Sequence, residues 1–374
     1  MLNFHQEPCH QAAIRDPQLP LSGDRLMQTP HTAQRSSEEH RILANLQGLR
    51  ALAALGVMVF HFGLMPATSI PFAIGASGVD VFFVLSGFII AHSSSRSARH
   101  FLAHRLIRVV PAYWIATVFA AAFTLQNIDM SEAWGWLLQS LFYLPDPNGR
   151  PPLIFVAWTL VYELAFYLLY WLALRFGTRA APIVCIALLL VLALFHVPGL
   201  AGPWPLVLEF GMDISIYLAV ERYGLPRLVP GWAGLLVAGV GLALLMALPP
   251  MTGYNPDDYQ SVGRVLRWGV PAAVIVLGLI VAELGGIALR SKFILLLGAA
   301  SYAIYLLHPI AVGQLLQLPP NSPPTSWALC LFAAGITVAV AVAFNMFLEV
   351  PLLRRLRGLL RDRLPIEQRV SRLT

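Results

Sequence analysis

The sequence predicts an all-α, polytopic membrane protein with about ten transmembrane helices and with cytoplasmic N- and C-termini. Its 374 residues are 57% hydrophobic and only 12% charged, whereas charged residues make up about a quarter of a typical soluble domain. Apolar runs recur along the chain, and each is close to the roughly 20 residues that a helix needs to cross a bilayer. These runs lie near 43–65, 71–92, 104–125, 153–174, 181–198, 203–221, 230–249, 269–287, 293–315 and 326–349.

The placement of arginines sets the predicted topology. With ten spans and a cytoplasmic N-terminus, most arginines fall in cytoplasmic segments, and the outer loops hold only Arg150, Arg264 and Arg267. The positive-inside rule predicts this asymmetry. An eleventh candidate, 133–145, is short and rich in tryptophan and polar residues. A span there would put the arginine-rich C-terminus outside, so we predict an interfacial or re-entrant segment on the outer side instead.

The chain divides into three predicted regions. Residues 1–40 are polar and are predicted to be a disordered cytoplasmic tail, residues 41–352 form the transmembrane domain, and residues 353–374 form a basic cytoplasmic tail. The net charge of +6 comes from short arginine clusters between apolar runs, which favours contact with membrane lipids and no nucleic-acid partner. The three cysteines are far apart, without the spacing of a disulfide or a metal site, and we expect no metal.

The first apolar run carries Arg50 near one end and His61 near the other. Eleven residues are close to three helical turns, so both side chains should lie on one face, roughly 16 Å apart along the axis. Ionisable residues in a transmembrane helix are costly and usually face a bundle interior or a watery cavity. The pair indicates a passage with a cation at its mouth and a titratable base deeper inside. An interfacial arginine and a histidine in a helix contact remain the alternative.

Other polar residues are predicted to lie at the depth of His61. Asp80 in the second run, Glu163 in the fourth and His308 in the ninth should reach the same outer or middle layer. Ser301, Tyr305 and His308 share one helix face because they stand at i, i+4 and i+7. Each residue alone has a structural explanation, but four ionisable groups in one layer need partners.

A second polar layer is predicted at the cytoplasmic side. Arg105 and Arg108 lie three residues apart at the inner end of the third run, and Arg50 lies at the inner end of the first. Guanidinium groups match phosphate oxygens well, so these arginines suggest a phosphorylated ligand, although topology alone also places arginines there. An acyl-coenzyme A fits both layers, with its phosphates on the arginines and its thioester near His61. Glu349 is expected to form an ion pair with these arginines.

The chain resembles the acyltransferase 3 family of integral-membrane O-acyltransferases, which modify surface polysaccharides and related carbohydrates. The resemblance covers about 43–351. It is carried by six motifs in family order, which are Leu46-Gln47-Gly48-Leu49-Arg50 through His61, Gly78-Val79-Asp80-Val81-Phe82-Phe83-Val84-Leu85-Ser86-Gly87-Phe88, Arg105-Leu106-Ile107-Arg108-Val109-Val110-Pro111, Trp158-Thr159-Leu160-Val161-Tyr162-Glu163 with Phe166-Tyr167, Ser301-Tyr302-Ala303-Ile304-Tyr305-Leu306-Leu307-His308-Pro309, and Glu349-Val350-Pro351.

The resemblance implies transfer of an acyl group, with acetyl favoured over succinyl or longer groups, from cytoplasmic acyl-CoA to a hydroxyl of a cell-surface or exopolysaccharide sugar. The acceptor is expected to be lipid-linked or polymeric, and the location a bacterial inner membrane. The implied catalytic residue is His61, and the glutamate of the Trp-Thr-Leu motif falls on Glu163. We expect His61 to act as general base, or as a transient acyl carrier, with Asp80 or Glu163 as the carboxylate that orients it. The implied donor-binding residues are Arg50, Arg105 and Arg108.

Ser301, Tyr305 and His308 are candidates for contacts with the acceptor or with the oxyanion, and equally for helix packing.

The alternative function from another class is a transporter or flippase for a carbohydrate or lipid-linked substrate, since buried carboxylates and histidines suit an ion pathway too. Binding of acyl-CoA at the cytoplasmic side separates the two, because a transporter predicts none.

Overall fold

The computed structural model describes residues 44–63, 73–94, 100–126, 128–144, 146, 149–194, 204–224, 229–248, 261–316 and 327–362. The predicted tail 1–40 and the last residues of the C-terminal tail lie outside the described residues. Within those ranges all regular structure is helical, which agrees with the predicted fold class. The helices are α1 (Ala44–Gly63), α2 (Gly78–Ser94), α3 (Phe101–Thr124), α4 (Met130–Phe142), α5 (Trp158–Ala173), α6 (Ala181–Leu194), α7 (Val207–Tyr223), α8 (Gly231–Ala247), α9 (Val270–Leu284), α10 (Lys292–Ala299), α11 (Ser301–Leu316), α12 (Trp327–Phe344) and α13 (Val350–Asp362).

Each of the ten apolar runs contains a helix, because in hydrocarbon a helix satisfies its own backbone hydrogen bonds. Fewer helices are long and apolar enough to cross a membrane by themselves. Five meet that standard, and α10 with α11, bent by 65°, adds a sixth if the pair counts as one span. The five are Ile74–Ser94, Phe101–Thr124, Phe155–Phe176, Val262–Leu284 and Ala328–Leu360.

Helix α4 corresponds to the segment predicted to be interfacial, and it is not among the spanning helices. Its side chains Met130, Trp134, Leu138 and Phe142 are exposed and recur every four residues, so they form one apolar stripe along the helix. Asp129 caps its N-terminus by accepting a hydrogen bond from the Ser131 backbone N–H. An amphipathic helix of 13 residues suits a position along the membrane surface.

The chain is helical across residue 352, where the C-terminal tail was predicted to begin. The chain stays helical from Trp327 through a π-helical turn, Asn345–Glu349, and on to Asp362. Pro351 follows the π-helical turn directly and does not end the helix. The leucines and arginines that follow are good helix formers. The first ten residues of the predicted tail are therefore the helix α13.

Helix α1 lies at the centre of the fold, in contact with α2, α9, α10 and α11. Its first turn is fixed from α9, because Glu283 accepts hydrogen bonds from the backbone N–H groups of Ala44 and Asn45 at 2.9 and 2.8 Å. A carboxylate at a helix N-terminus satisfies free N–H groups and favours the helix dipole. Gly298 of α10 allows close approach, since a Cβ there would lie 2.1 Å from the Gln47 carbonyl oxygen. Arg50 and His61 are thus held on a well-anchored central helix.

Candidate active site

Two cavities run through the middle of the helix bundle and meet at Arg50 and Arg108. The first, the arginine cavity, has an empty volume of about 820 Å³, and the second, the mouth cavity, about 870 Å³. Ile89 also lines both cavities. The arginine cavity is lined by Arg50, Val79, Phe82, Phe83, Leu85, Ser86, Ile89, Ile90, Arg105, Arg108, Val109, Thr159, Leu160, Glu163, Tyr167, Tyr302 and Tyr305.

The structure brings the three predicted arginines to the same cavity. Arg50 comes from α1, whereas Arg105 and Arg108 come from one face of α3. Arg105 donates a hydrogen bond to Ser93 Oγ, which fixes its direction. Within the described part of the chain, none of the three forms an ion pair. Such a cluster of unpaired guanidinium groups favours an anionic ligand.

Glu163 also lines the arginine cavity, where it accepts a hydrogen bond from the Tyr167 hydroxyl. It lines this cavity together with the three arginines, so its negative charge offsets part of their positive charge. The expected ion pair of Glu349 with the arginines is not formed, since among the described residues its carboxylate bonds to Asn345 Nδ2 at 2.9 Å. Glu349 nevertheless lines the mouth cavity beside Arg50 and Arg108.

His61 meets a second histidine instead of a carboxylate. Its Nδ1 lies 3.1 Å from Nε2 of His308 and 2.9 Å from the carbonyl oxygen of Val57. His308 Nδ1 lies 3.1 Å from the carbonyl oxygen of Ile304. Because a carbonyl oxygen can only accept, both neutral imidazoles carry their proton on Nδ1. The single Nδ1–H of His61 is then shared between the Val57 carbonyl oxygen and His308 Nε2, and the lone pair of His61 Nε2 stays available.

The two histidines differ in how far their side chains are buried. His308 is fully buried, whereas His61 is half-buried and has the ring of Phe155 at 5.0 Å. None of the described residues hydrogen-bonds to His61 Nε2. His61 therefore has an accessible basic nitrogen and a second nitrogen fixed by His308.

The prediction that Asp80 orients His61 is wrong. Both oxygens of Asp80 accept from Arg264, at 2.9 Å from Nε and 2.8 Å from Nη2, and the two side chains are 0% and 1% exposed. A bidentate pair of this kind directs both carboxylate oxygens at Arg264 and not at His61. Trp268 covers the guanidinium at 5.0 Å. Glu163 was the other carboxylate predicted to orient His61, and it has no hydrogen bond to His61 either.

Arg264 is the residue that the sequence analysis missed. It was assigned to an outer loop, but it lies in the short helix Val262–Arg264 and is buried. A signal was available, because an aspartate inside an apolar run needs a cation, and the outer side offered few arginines. Two acids of α7, Glu209 and Asp213, are also fully buried. Asp213 accepts a hydrogen bond from the Phe88 backbone N–H at 2.6 Å.

The residues of α11 predicted to share a face have separate environments. Tyr305 lines the arginine cavity, and its hydroxyl bonds to Thr159 Oγ1 at 2.8 Å and donates to the Val156 carbonyl at 3.1 Å. His308 contacts His61 and does not line that cavity. Ser301 is fully buried, and no described residue hydrogen-bonds to its hydroxyl.

Tyr305 contacts the arginine cavity on one side and the histidine pair on the other. Its ring centroid lies 5.7 Å from that of His308 and 6.0 Å from that of Phe82. Arg50 and His61 were predicted to line a single passage. Arg50 lines the arginine cavity and His61 does not, and Tyr305 contacts both this cavity and His308.

The sequence model of the acyltransferase 3 family, described as an acyltransferase domain, matches residues 43–345. The chain belongs to this family. It is 33% identical over 323 residues to the exopolysaccharide production protein ExoZ of Rhizobium meliloti, covering 80% of this chain and 96% of that protein. It is 24% identical to the putative peptidoglycan O-acetyltransferase YrhL of Bacillus subtilis, covering 84% of this chain and 56% of that protein.

A further relative is the acyltransferase MdmB of Streptomyces mycarofaciens, 26% identical over 84% of this chain and 92% of that protein. No solved structure matches the chain significantly. Its family membership makes this protein an acyltransferase, and its apolar helices fit a multi-pass membrane protein.

Proposed function

We propose that this acyltransferase moves an acetyl group from cytoplasmic acetyl-CoA to a hydroxyl of an exopolysaccharide or cell-surface sugar, with His61 as general base. The observation that carries the proposal is the cavity with three unpaired arginines, separated by a single tyrosine from an accessible histidine nitrogen. One chain thus holds a polyanion site and a base within one bundle.

The donor binds in the arginine cavity. Arg50, Arg105 and Arg108 face the phosphates of coenzyme A, since guanidinium groups form charge-assisted hydrogen bonds with phosphate oxygens. The rest of the lining is largely apolar and aromatic, with Phe82 and Leu160 among the residues. Such walls suit the slender pantetheine arm, which carries the thioester toward Tyr305.

The acyl transfer begins at His61 Nε2. This nitrogen takes the proton of the sugar hydroxyl as the hydroxyl oxygen attacks the thioester carbonyl carbon. The carbon–sulfur bond then breaks, the sugar ester forms, and the sulfur leaves with a proton as the coenzyme A thiol. General base catalysis of this kind contributes about 10²–10⁴-fold. His308 accepts from Nδ1–H throughout, which holds the ring and stabilises its protonated form, as the carboxylate does in a Ser-His-Asp triad.

Tyr305 separates the donor from the base until both substrates are in place. Its hydroxyl is held by Thr159 and Val156, so rotation of the ring requires these hydrogen bonds to be exchanged. A closed wall keeps water from the thioester, and exclusion of water suppresses hydrolysis of a reactive donor. We infer that the ring moves aside when the acyl end arrives.

The membrane arrangement belongs to the same proposal. Ten spans with cytoplasmic termini place Arg105 and Arg108 at the inner side, as the positive-inside rule requires. The mature enzyme then lies in the inner membrane of a bacterium, where acetyl-CoA is available from the cytoplasm. The names of its relatives, an exopolysaccharide production protein and a peptidoglycan O-acetyltransferase, support a carbohydrate acceptor, either polymeric or lipid-linked.

Donor use by purified protein tests the proposal. The protein in detergent or vesicles is given acetyl-CoA and a crude carbohydrate extract, and release of the free thiol is followed. We expect release that depends on the extract and weaker activity with succinyl-CoA. Folded protein that neither binds nor cleaves acetyl-CoA would exclude this donor and favour the transporter hypothesis.

A further inference from the structure

The mouth cavity has a lining that the sequence analysis did not assign to any ligand. It shares Arg50, Ile89 and Arg108 with the arginine cavity, and the π-helical turn and α13 contribute the residues from Asn345 to Arg357. Its lining comprises Leu46, Gln47, Arg50, Ile89, Arg108, Ala299, Asn345, Glu349, Val350, Leu353 and Arg357. The two cavities are therefore adjacent, with Arg50, Ile89 and Arg108 lining both.

One face of α13 is directed at this cavity. Val350, Leu353 and Arg357 stand at i, i+3 and i+7, which is the spacing of a single helix face, and all three line the cavity. Arg354, Arg355 and Arg357 are all exposed overall, but only Arg357 lines the cavity. Arg357 thus differs from Arg354 and Arg355 in its position at the cavity and not in its charge.

The charges of the mouth cavity favour an anion. Arg50, Arg108 and Arg357 are the cations of its lining, and Glu349 is the acid. Within the described ranges none of these arginines has an ion-pair partner. Three guanidinium groups repel one another unless an anion lies among them. The amides of Gln47 and Asn345 add neutral hydrogen-bonding groups of the kind that bind bases and riboses.

We propose that the mouth cavity binds the nucleotide end of the acyl-CoA donor and that Arg357 of α13 is one of its phosphate-binding residues. This inference rests on the proposed function and adds a site to it. The nucleoside phosphate lies between α1, α3 and α13, and the pantetheine arm continues past Arg50 and Arg108 into the arginine cavity. The C-terminal helix is then part of the donor site and not only a basic membrane anchor.

A comparison of two donors tests the inference. Acetyl-CoA carries the nucleotide, whereas S-acetylpantetheine lacks it but has the same thioester. For Arg357→Ala we expect the KM for acetyl-CoA to rise about tenfold, the effect of losing one hydrogen bond to a charged group, and the KM for S-acetylpantetheine to stay unchanged. Arg354→Ala, with the same loss of charge on the same helix, should behave as wild type with both donors.

A competitive inhibitor that carries only the nucleotide gives a second test of the site. Adenosine 3′,5′-bisphosphate should inhibit the wild type competitively and should inhibit Arg357→Ala about tenfold less well, as loss of one charged hydrogen bond predicts. Arg357→Lys should recover part of the inhibition. Equal inhibition of wild type and Arg357→Ala, or equal effects of Arg357→Ala and Arg354→Ala, would overturn the role of Arg357. A wild type that does not use acetyl-CoA at all would instead overturn the proposed function.

Discussion

His308 Nε2 accepts a hydrogen bond from His61 Nδ1 at 3.1 Å, between residues that are 247 positions apart in the chain. The carbonyl groups of Val57 and Ile304 fix the proton of each ring on Nδ1. His61 therefore presents Nε2 as its basic nitrogen, and His308 takes the place that a carboxylate has in many catalytic triads. A neutral acceptor avoids a buried charge in the membrane, which would be costly.

Loss of His308 should lower kcat and leave KM largely unchanged. In His308→Ala the Nδ1–H of His61 loses its acceptor on α11, so the ring is less well oriented and its protonated form less well stabilised. We expect kcat to fall about 10–100-fold, the effect of losing a hydrogen bond to a group that becomes charged. Steady-state kinetics with acetyl-CoA and a saturating acceptor measure the change.

His308→Gln is the matched control, because its amide oxygen can accept from His61 Nδ1. Partial recovery of kcat in this variant supports a positioning role. An unchanged kcat in His308→Ala, or a change in KM alone, would show that His308 does not act through His61.

Removal of Arg108 should weaken donor binding more than it slows turnover. Arg108 lines both cavities, so its guanidinium is in reach of a ligand that extends through both. We expect Arg108→Ala to raise the KM for acetyl-CoA by about tenfold or more, since an arginine–phosphate contact is lost. Isothermal titration with acetyl-CoA gives the affinity independently of turnover.

Arg179→Ala serves as the control for Arg108, because Arg179 is exposed and lines neither cavity. It removes the same charge from the surface of the protein. Equal affinities for acetyl-CoA in the two variants would contradict a donor site at Arg108.

The buried pair of Asp80 and Arg264 should determine stability. In Asp80→Asn the guanidinium of Arg264, which is 1% exposed, loses its counter-charge. Breaking a buried ion pair from one side typically costs about 3–5 kcal/mol. We therefore expect a marked decrease in the midpoint of thermal unfolding of the detergent-solubilised protein, followed by intrinsic fluorescence.

The double variant Asp80→Leu with Arg264→Met removes both charges together. It should be more stable than Asp80→Asn, because apolar replacement of a whole buried pair is often neutral. Suppose instead that Asp80→Asn melts like the wild type and lacks activity. Asp80 would then be catalytic, as the sequence alone suggested.

Removal of the Tyr305 ring should allow water to reach the thioester of the donor. Tyr305→Ala removes the ring between the arginine cavity and His308, so hydrolysis of acetyl-CoA without acceptor should rise severalfold relative to transfer. Tyr305→Phe keeps the ring and should retain low hydrolysis. Release of thiol is measured with and without the carbohydrate extract, and a constant ratio across the three proteins would exclude Tyr305 as the barrier.

Much of the fold is readable from the sequence because the membrane imposes strong local rules. Apolar runs of bilayer length became helices, and the short tryptophan-rich segment after α3 became an amphipathic helix. Arg105 and Arg108 reached one cavity because residues three apart share a helix face. These inferences need only one helix at a time.

The pairing of residues from different helices was not readable in the same way. Asp80 and His61 were expected at one depth, but depth does not determine which neighbour each residue faces around the helix axis. Asp80 faces Arg264, 184 positions away, and His61 faces His308. The continuation of α12 into α13 was missed because the apolar run ends at 349 and the residues that follow are rich in arginine. Pairs of this kind depend on tertiary packing, which one sequence does not specify.

The most direct test of the central claim follows a labelled acetyl group from donor to acceptor. Purified protein is incubated with [¹⁴C]acetyl-CoA and carbohydrate extract, and label in the carbohydrate is counted for wild type, His61→Ala and Arg179→Ala. We expect labelled carbohydrate with wild type and Arg179→Ala, and a loss of about 10²–10⁴-fold in His61→Ala with acetyl-CoA affinity retained. Transfer by folded His61→Ala at the wild-type rate would contradict the assignment of His61 as the base.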